Sequence, residues 1–339
     1  MGLVTTTCIV SGRAWRDGHP VAGELTEDDL HRLHRETDAL VWVDVRDPSP
    51  ADLRRLLHRV GLPDGAIEDV TAPYERPKVA RYGDHVFFQA YATWMADHPA
   101  AGEYVRLRTG RVSGFVGPGL LVTIREGDAF DMAPVVRGWE ENADLIVEGA
   151  AALLYGLLDV VVDSHFDTVQ RLDDDLEDLE DVLFAERRTG HDFARRTYGI
   201  RKDLVRLRRV VLPMRDVVDG LMRHRSRPEG NRFTALDAWF DDLYDHVLRA
   251  AEWTESLRDM VSTIFETNLS LQDARLNTVM KKLAGWGAII AVPTAVTGWF
   301  GQNIPFPGFG RHGGLAVSVA LIVVATAALY ALFRSRDWL

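Results

Sequence analysis

The chain has 339 residues, with 50 Asp and Glu against 39 Lys and Arg, and its net charge of -11 favours cations as partners and repels nucleic acid. Its single cysteine, Cys8, excludes an intramolecular disulfide and, with no Cys or His neighbours, a cysteine-rich zinc site. Met1 to Val10 lacks the basic start and long apolar stretch of a secretory signal, so the soluble part is expected to stay on the side of synthesis.

From Val4 to about Glu148 strand-like and helix-like segments alternate. Ala39–Val45, His85–Trp94, Tyr104–Leu107 and Leu120–Arg125 are rich in β-branched and aromatic residues and read as strands. Thr26–Glu36 and Ser49–Val60 read as helices, each opening on a residue able to cap. Residues 1–149 are therefore an α/β domain whose strand order the sequence leaves open.

Past Gly149 the pattern becomes purely helical. Leu158, Val162, His165, Val169, Leu172, Leu176, Leu179 and Leu183 recur three or four apart, a seam for helix pairing. The run Asp173 to Asp181 reads as the wet face of that helix, although it also suits a metal store. A turn over Arg187–Asp192 leads to a second seam through Phe193, Thr197, Ile200, Leu204, Leu207, Val211, Met214, Val218 and Leu221, with arginines outside. An acidic helix followed by a basic one predicts an antiparallel hairpin over 150–228, with Pro213 kinking its second arm.

After the break at Arg225–Asn231, nothing stops a helix from Thr234 to Phe300: the first proline is Pro293. A helix of that length is about 100 Å long at about 1.5 Å per residue. Its soluble part, 232–282, is a stalk whose apolar side, Leu236, Phe240, Leu243, Val247, Leu257, Val261 and Ile264, calls for partners and predicts self-association. Residues 283–300 and 315–333 are uncharged apolar runs long enough to span a bilayer, joined by a turn-rich connector, 301–314. Lys281 and Lys282 precede the first span and Arg334 and Arg336 follow the second, in a tail of 334–339. Positive charge at both outer ends predicts that both termini face the cytoplasm. The excess of arginine over lysine accords with a GC-rich bacterial genome, hence a bacterial cell membrane.

This order of parts, with Asp242-Leu243-Tyr244-Asp245-His246, Glu255–Ser262, Asn277-Thr278-Val279-Met280, Pro293-Thr294, Leu212–Asp216 and Phe300-Gly301-Gln302-Asn303, resembles the CorA-type divalent metal ion transporters over essentially the whole chain. The resemblance implies a funnel-shaped homopentamer in the lipid bilayer whose first spans line a pore. It implies Mg2+ or another divalent cation as substrate and regulatory ligand, and no prosthetic group. Set against that picture, Asn277, Met280, Ala284 with Leu283 beside it, Gly287, Ala291, Thr294 and Gly298 form one helix face, polar or small near its ends and middle. Trp286, Ile289, Val296 and Trp299 lie opposite, suited to lipid or to the second span. Small residues such as Ala284, Gly287 and Gly298 serve close helix packing equally well. The resemblance also gives Asp242 the position of a regulatory metal ligand between subunits; its other reading is a solvated stalk carboxylate.

The first span has no Asp or Glu, so no carboxylate ring can strip water from Mg2+, which dehydrates reluctantly. The hydrated ion is then the species recognised, with Gly301, Gln302 and Asn303 as the filter: Asn303 carbonyls accept from the ion's waters, and Gly301 lets the backbone leave the helix. Met280 and Leu283 form an apolar gate near the cytoplasmic end. The family's common tripeptide has Met where this chain has Gln302, and Arg311 sits in a connector without acidic residues. No Gly-x4-Gly-Lys loop is present, so transport is downhill, and no nucleophile-base cluster suggests an enzyme. Three readings stand: a Mg2+ and Co2+ (or Ni2+) uptake channel gated by cytosolic metal, a ZntB-like Zn2+ transporter with or without proton coupling, and a membrane-tethered helical scaffold that transports nothing.

Overall fold

A computed structural model describes residues 9–22, 39–72, 76–98, 104–185, 191–225, 235–302 and 307–336, together with isolated positions between and beyond them. It divides into two compact units, 1–262 and 263–339. The helix expected over Thr26–Glu36, the hairpin turn, the break before the stalk and Asn303 lie wholly or largely outside the described residues.

The first unit is built on a seven-stranded sheet ordered β2-β1-β3-β7-β6-β5-β4. Its strands are β1 (Ile9–Arg16), β2 (His19–Ala22), β3 (Ala39–Arg46), β4 (Lys78–Tyr82), β5 (His85–Met95), β6 (Leu107–Gly117) and β7 (Leu120–Arg125). Only β3 and β7 pair in parallel. Buried on both faces, they read as near-continuous apolar runs. Between β3 and β4 lie α1 (Pro50–Arg59) and α2 (Asp64–Thr71). Ser49 caps α1 as expected, its Oγ accepting from the Asp52 N–H at 3.2 Å.

Period-2 alternation sends the strand side chains to two cores. Val41, Val43, Phe87, Phe115 and Val122 join Leu53, Leu56, Leu57 and Ile67 of α1 and α2. Trp42, Phe88, Val112 and Leu121 face the other way, onto α3 (Ala133–Glu141), α4 (Ala143–Ile146) and the long helix α5 (Ala150–Phe184). The Trp42 and Trp139 rings meet edge to face, centroids 4.9 Å apart.

Every seam residue expected in the hairpin is buried, both in α5 and in α6 (His191–Arg225), through which Pro213 passes without ending the helix. The long helix α7 is described over Ala235–Phe300, and its Leu236, Phe240, Leu243 and Val247 join the α5 core. The acidic and basic helices satisfy charge partly through other elements: Asp175 of α5 pairs with Arg106, and Arg208 of α6 with Glu255 of α7.

One strand expectation needs correcting. The strand expected at Tyr104–Leu107 begins only at Leu107 and runs on to Gly117. The Asp203 carboxylate of α6 takes the Arg106 N–H at 3.0 Å and the Leu107 N–H at 2.9 Å, holding this approach to the strand against the helix, and Tyr104 packs on Tyr198. The strand that follows was hidden by Arg108, Gly110, Arg111, Ser113 and Gly114. A Cβ at Gly114 would sit 1.9 Å from the Val122 carbonyl oxygen, so the tight β6–β7 pairing requires glycine there.

A polar layer ties α5 to β5. Ser164 Oγ accepts from the Thr93 N–H at 3.0 Å, Thr93 and Thr168 hydroxyls meet at 2.8 Å, and His165 Nε2 lies 2.8 Å from the Tyr91 carbonyl oxygen. His165 is fully buried; burial pushes its pKa down to about 4 against the weaker raising effect of the Tyr91 bond.

Candidate ion pathway

In the second unit, α7 continues to Phe300 and is followed by α8 (His312–Ser335). Both are long and apolar enough to cross a membrane. At about 3.6 residues per turn, the buried or half-buried positions in the apolar span of α7, namely Gly285, Ala288, Ile289, Val292, Pro293, Val296 and Phe300, fall on one stripe. Of these, Ile289 and Pro293, with Trp286, line a groove of about 500 Å³ against Ile322, Val323, Thr326, Ala327 and Tyr330 of α8. Ile289 and Val296 were expected on a face suited to lipid or the second span. Trp286 also lines the groove, and Trp299 stays exposed.

The residues Asn277, Met280, Leu283, Ala284, Gly287, Ala291, Thr294 and Gly298 are all exposed in the single chain. By helical period they lie on the side of α7 opposite the groove, the side α8 leaves uncovered. Between Asp273 and Asp337 the sequence has no carboxylate. Polarity on this stretch comes instead from hydroxyls and main chain. Thr294 donates to the Ile290 carbonyl at 3.1 Å and Thr297 to the Pro293 carbonyl at 2.8 Å. With their protons committed to the helix, these oxygens keep lone pairs that can accept from water.

At the end of the span, the Gly301 N–H still bonds the Thr297 carbonyl at 2.8 Å and the Gln302 N–H reaches Trp299 at 3.3 Å, tightening the last turn. A Cβ on Gly301 would lie 2.9 Å from that same Thr297 oxygen. Gln302 is exposed, and Asn303 lies outside the described residues. The connector then turns through Gly308 and Gly310, and Gly314 N–H bonds Arg311 O at 3.1 Å as α8 begins.

Asp242, in the first unit, is exposed, with His246 Nε2 3.8 Å from its carboxylate one turn on. Next to them on α5 lie Tyr155, Asp159 and Asp163. The Asp159 carboxyl is pushed up by burial and by Asp163, against the lowering effect of His246; Asp163 is pushed up by burial. Burial, Asp159 and Asp242 together hold the Tyr155 phenol well above its usual range. The sequence analysis did not single out Asp159 and Asp163, although their spacing of four inside an apolar run, with His246 and Asp242 spaced likewise, was a signal for one acidic face. Among the described residues, no three His, Cys, Asp or Glu side chains are grouped so as to hold a metal ion, so Asp242 has no complete ligand set within them.

An α/β domain, a helical hairpin and a long helix continuing into one of two apolar helices define an integral membrane protein of the long-stalk, two-span class. The family model described as CorA-like Mg2+ transporter protein matches residues 37–335, and the chain belongs to that family. It is 27% identical over 310 residues to the cobalt/magnesium transport protein CorA of Thermotoga maritima, covering 90% of this chain and 85% of that one. It is 24% identical over 339 residues to the zinc transport protein ZntB of Cronobacter sakazakii, covering 96% of this chain and 95% of that one. The complete structure of the CorA magnesium transporter from Methanocaldococcus jannaschii superposes with a TM-score of 0.71 at 23% identity, covering 97% of this chain and 99% of that one.

Proposed function

We propose that five copies of this chain surround a pore lined by α7 and form a passive uptake channel for hydrated Mg2+ and Co2+, with Ni2+ as a further cargo. The membrane is that of a bacterial cell, with both termini cytoplasmic. One observation carries the reading: the uncovered face of α7 offers small and polar groups and no carboxylate over its whole membrane length. A bare Mg2+ has no ligands there to replace its waters, whereas a hydrated ion needs only hydrogen-bond acceptors around it. Thr294 and a ring of Asn303 amides behind Gly301 and Gln302 supply those acceptors, and Met280 and Leu283 form the apolar constriction at the inner end. An inside-negative potential supplies about 2.3 kcal/mol per charge per 100 mV, twice that for a divalent ion.

Asp242 is the regulatory ligand for cytosolic metal, completed by groups from a neighbouring copy. Zinc is the second cargo to test, because the chain aligns almost end to end with a zinc transport protein. Purified protein in liposomes, given Mg2+, Co2+, Ni2+ and Zn2+ in parallel with and without a pH gradient, tests the reading. Passive Mg2+ and Co2+ influx that Asn303→Ala abolishes in an intact oligomer supports it. Proton-dependent Zn2+ movement alone, or no flux of any metal, rejects it.

A further inference from the structure

The groove between α7 and α8 continues into positive charge. On α7 the residues Pro293, Ile289, Trp286 and Lys282 follow one another at helical spacing on the face toward α8, and Lys281 lies one turn before the buried Gly285. On α8 the residues Ile322, Thr326, Tyr330 and Arg334 recur every four. The helices are antiparallel across this groove, since Trp286 and Tyr330 both line it near its basic end. Lys281, Lys282 and Arg334 therefore sit at one depth, about one turn or 5.4 Å beyond that aromatic pair.

Arg334 Nη1 donates to the Tyr330 hydroxyl at 3.1 Å, and among the described residues none of Lys281, Lys282, Arg334 and Arg336 has a carboxylate partner. Beyond Arg334 the chain folds back. The Trp338 N–H bonds the Phe333 carbonyl at 2.9 Å, and their rings stack 5.5 Å apart, 6° from parallel, adding a flat aromatic surface at the interface.

An apolar slot at membrane depth ending in three cations and a layer of aromatic rings matches a lipid with a negative headgroup in both halves of its chemistry. Resting on the membrane reading above, we propose that Lys281, Lys282 and Arg334 hold the phosphate of an anionic phospholipid whose acyl chain lies in the α7–α8 groove. A zwitterionic lipid brings its own cation to the same place and gains less.

The test is native mass spectrometry of the full-length protein taken from nanodiscs containing equal phosphatidylglycerol and phosphatidylcholine. Wild-type protein is expected to retain phosphatidylglycerol over phosphatidylcholine by about tenfold or more. Lys281→Gln, Lys282→Gln and Arg334→Gln together should remove the preference, and Ala327→Trp, which fills the groove, should remove retention of either lipid with the cations intact. Equal retention of both lipids by the wild type, or a preference untouched by both variants, overturns the inference. Inorganic phosphate displacing the lipid at micromolar concentration also overturns it, by making the site one for a soluble anion. Flux plays no part in the readout: protein that carries metal yet holds the two lipids alike sinks this inference alone, and protein that selects phosphatidylglycerol but moves no metal sinks the transport reading alone.

Discussion

His165 and Tyr91 meet through the imidazole Nε2 and a backbone carbonyl 2.8 Å away, and because a carbonyl only accepts, Nε2 carries the proton and buried Nδ1 faces no hydrogen-bond partner. The ring is thus held neutral, with its pKa near 4 in the folded chain and about 6.5 in the unfolded one. Between those values the unfolded state binds the extra proton, so the stability owed to the neutral ring is present above pH 6.5 and is lost as pH falls toward 4. The loss is on the order of 3 kcal/mol. His165→Gln keeps a donor and removes the titration. The difference in melting temperature between wild type and variant should therefore change by several degrees between pH 7 and 4.5, measured by tryptophan fluorescence in detergent; a difference that stays constant refutes the assignment.

Asp203 replaces a strand partner for the Arg106 and Leu107 N–H groups where β6 begins. Asp203→Ala strands both in a buried setting and should cost about 2–4 kcal/mol, while Asp203→Asn, which keeps one acceptor, should cost about half as much. Denaturant melts of the two variants give the ranking directly.

Gly301→Ala places a methyl group 2.9 Å from the Thr297 carbonyl oxygen, within a turn that leads to Asn303. The main chain must shift at the start of the proposed filter. Mg2+ influx into liposomes should fall by about tenfold or more, while size-exclusion chromatography shows the same oligomer as wild type. Unchanged influx would remove Gly301 from the filter.

Asp242→Ala tests regulation rather than conduction. If Asp242 reports cytosolic metal from the α5–α7 face, the variant should keep conducting at millimolar internal Mg2+, where the wild type closes. Internal-Mg2+ titration of the flux reads this, and identical inhibition curves would return Asp242 to the role of a solvated carboxylate.

The helical half of the molecule was legible because helix seams and membrane spans are written in a long period: each of the seventeen hairpin seam positions named from spacing is buried. The sheet was less so. β6 carries glycines demanded by backbone approach and an arginine, Arg111, that reaches Ala72 O and Glu126, and β4 is short and half-exposed, so neither shows the aromatic-rich run that betrays β5. At the site, the α7 face from Asn277 to Gly298 was laid out against the family picture, and those residues are exposed in the single chain. Asp159 and Asp163 were missed because they interrupt an apolar run, and only the packing of α7 against α5 reveals which side they face.

The pairing of β3 with β7 also bears on biosynthesis. Thr123 of β7 donates to Asp44 of β3 across 79 residues, at 2.7 Å, so the middle of the sheet closes only after some 125 residues have left the ribosome. Both hydrophobic spans lie far downstream of that point. The sheet can therefore close before the first apolar span is made, and a delay in that one non-local pairing would leave it unfinished just as insertion begins.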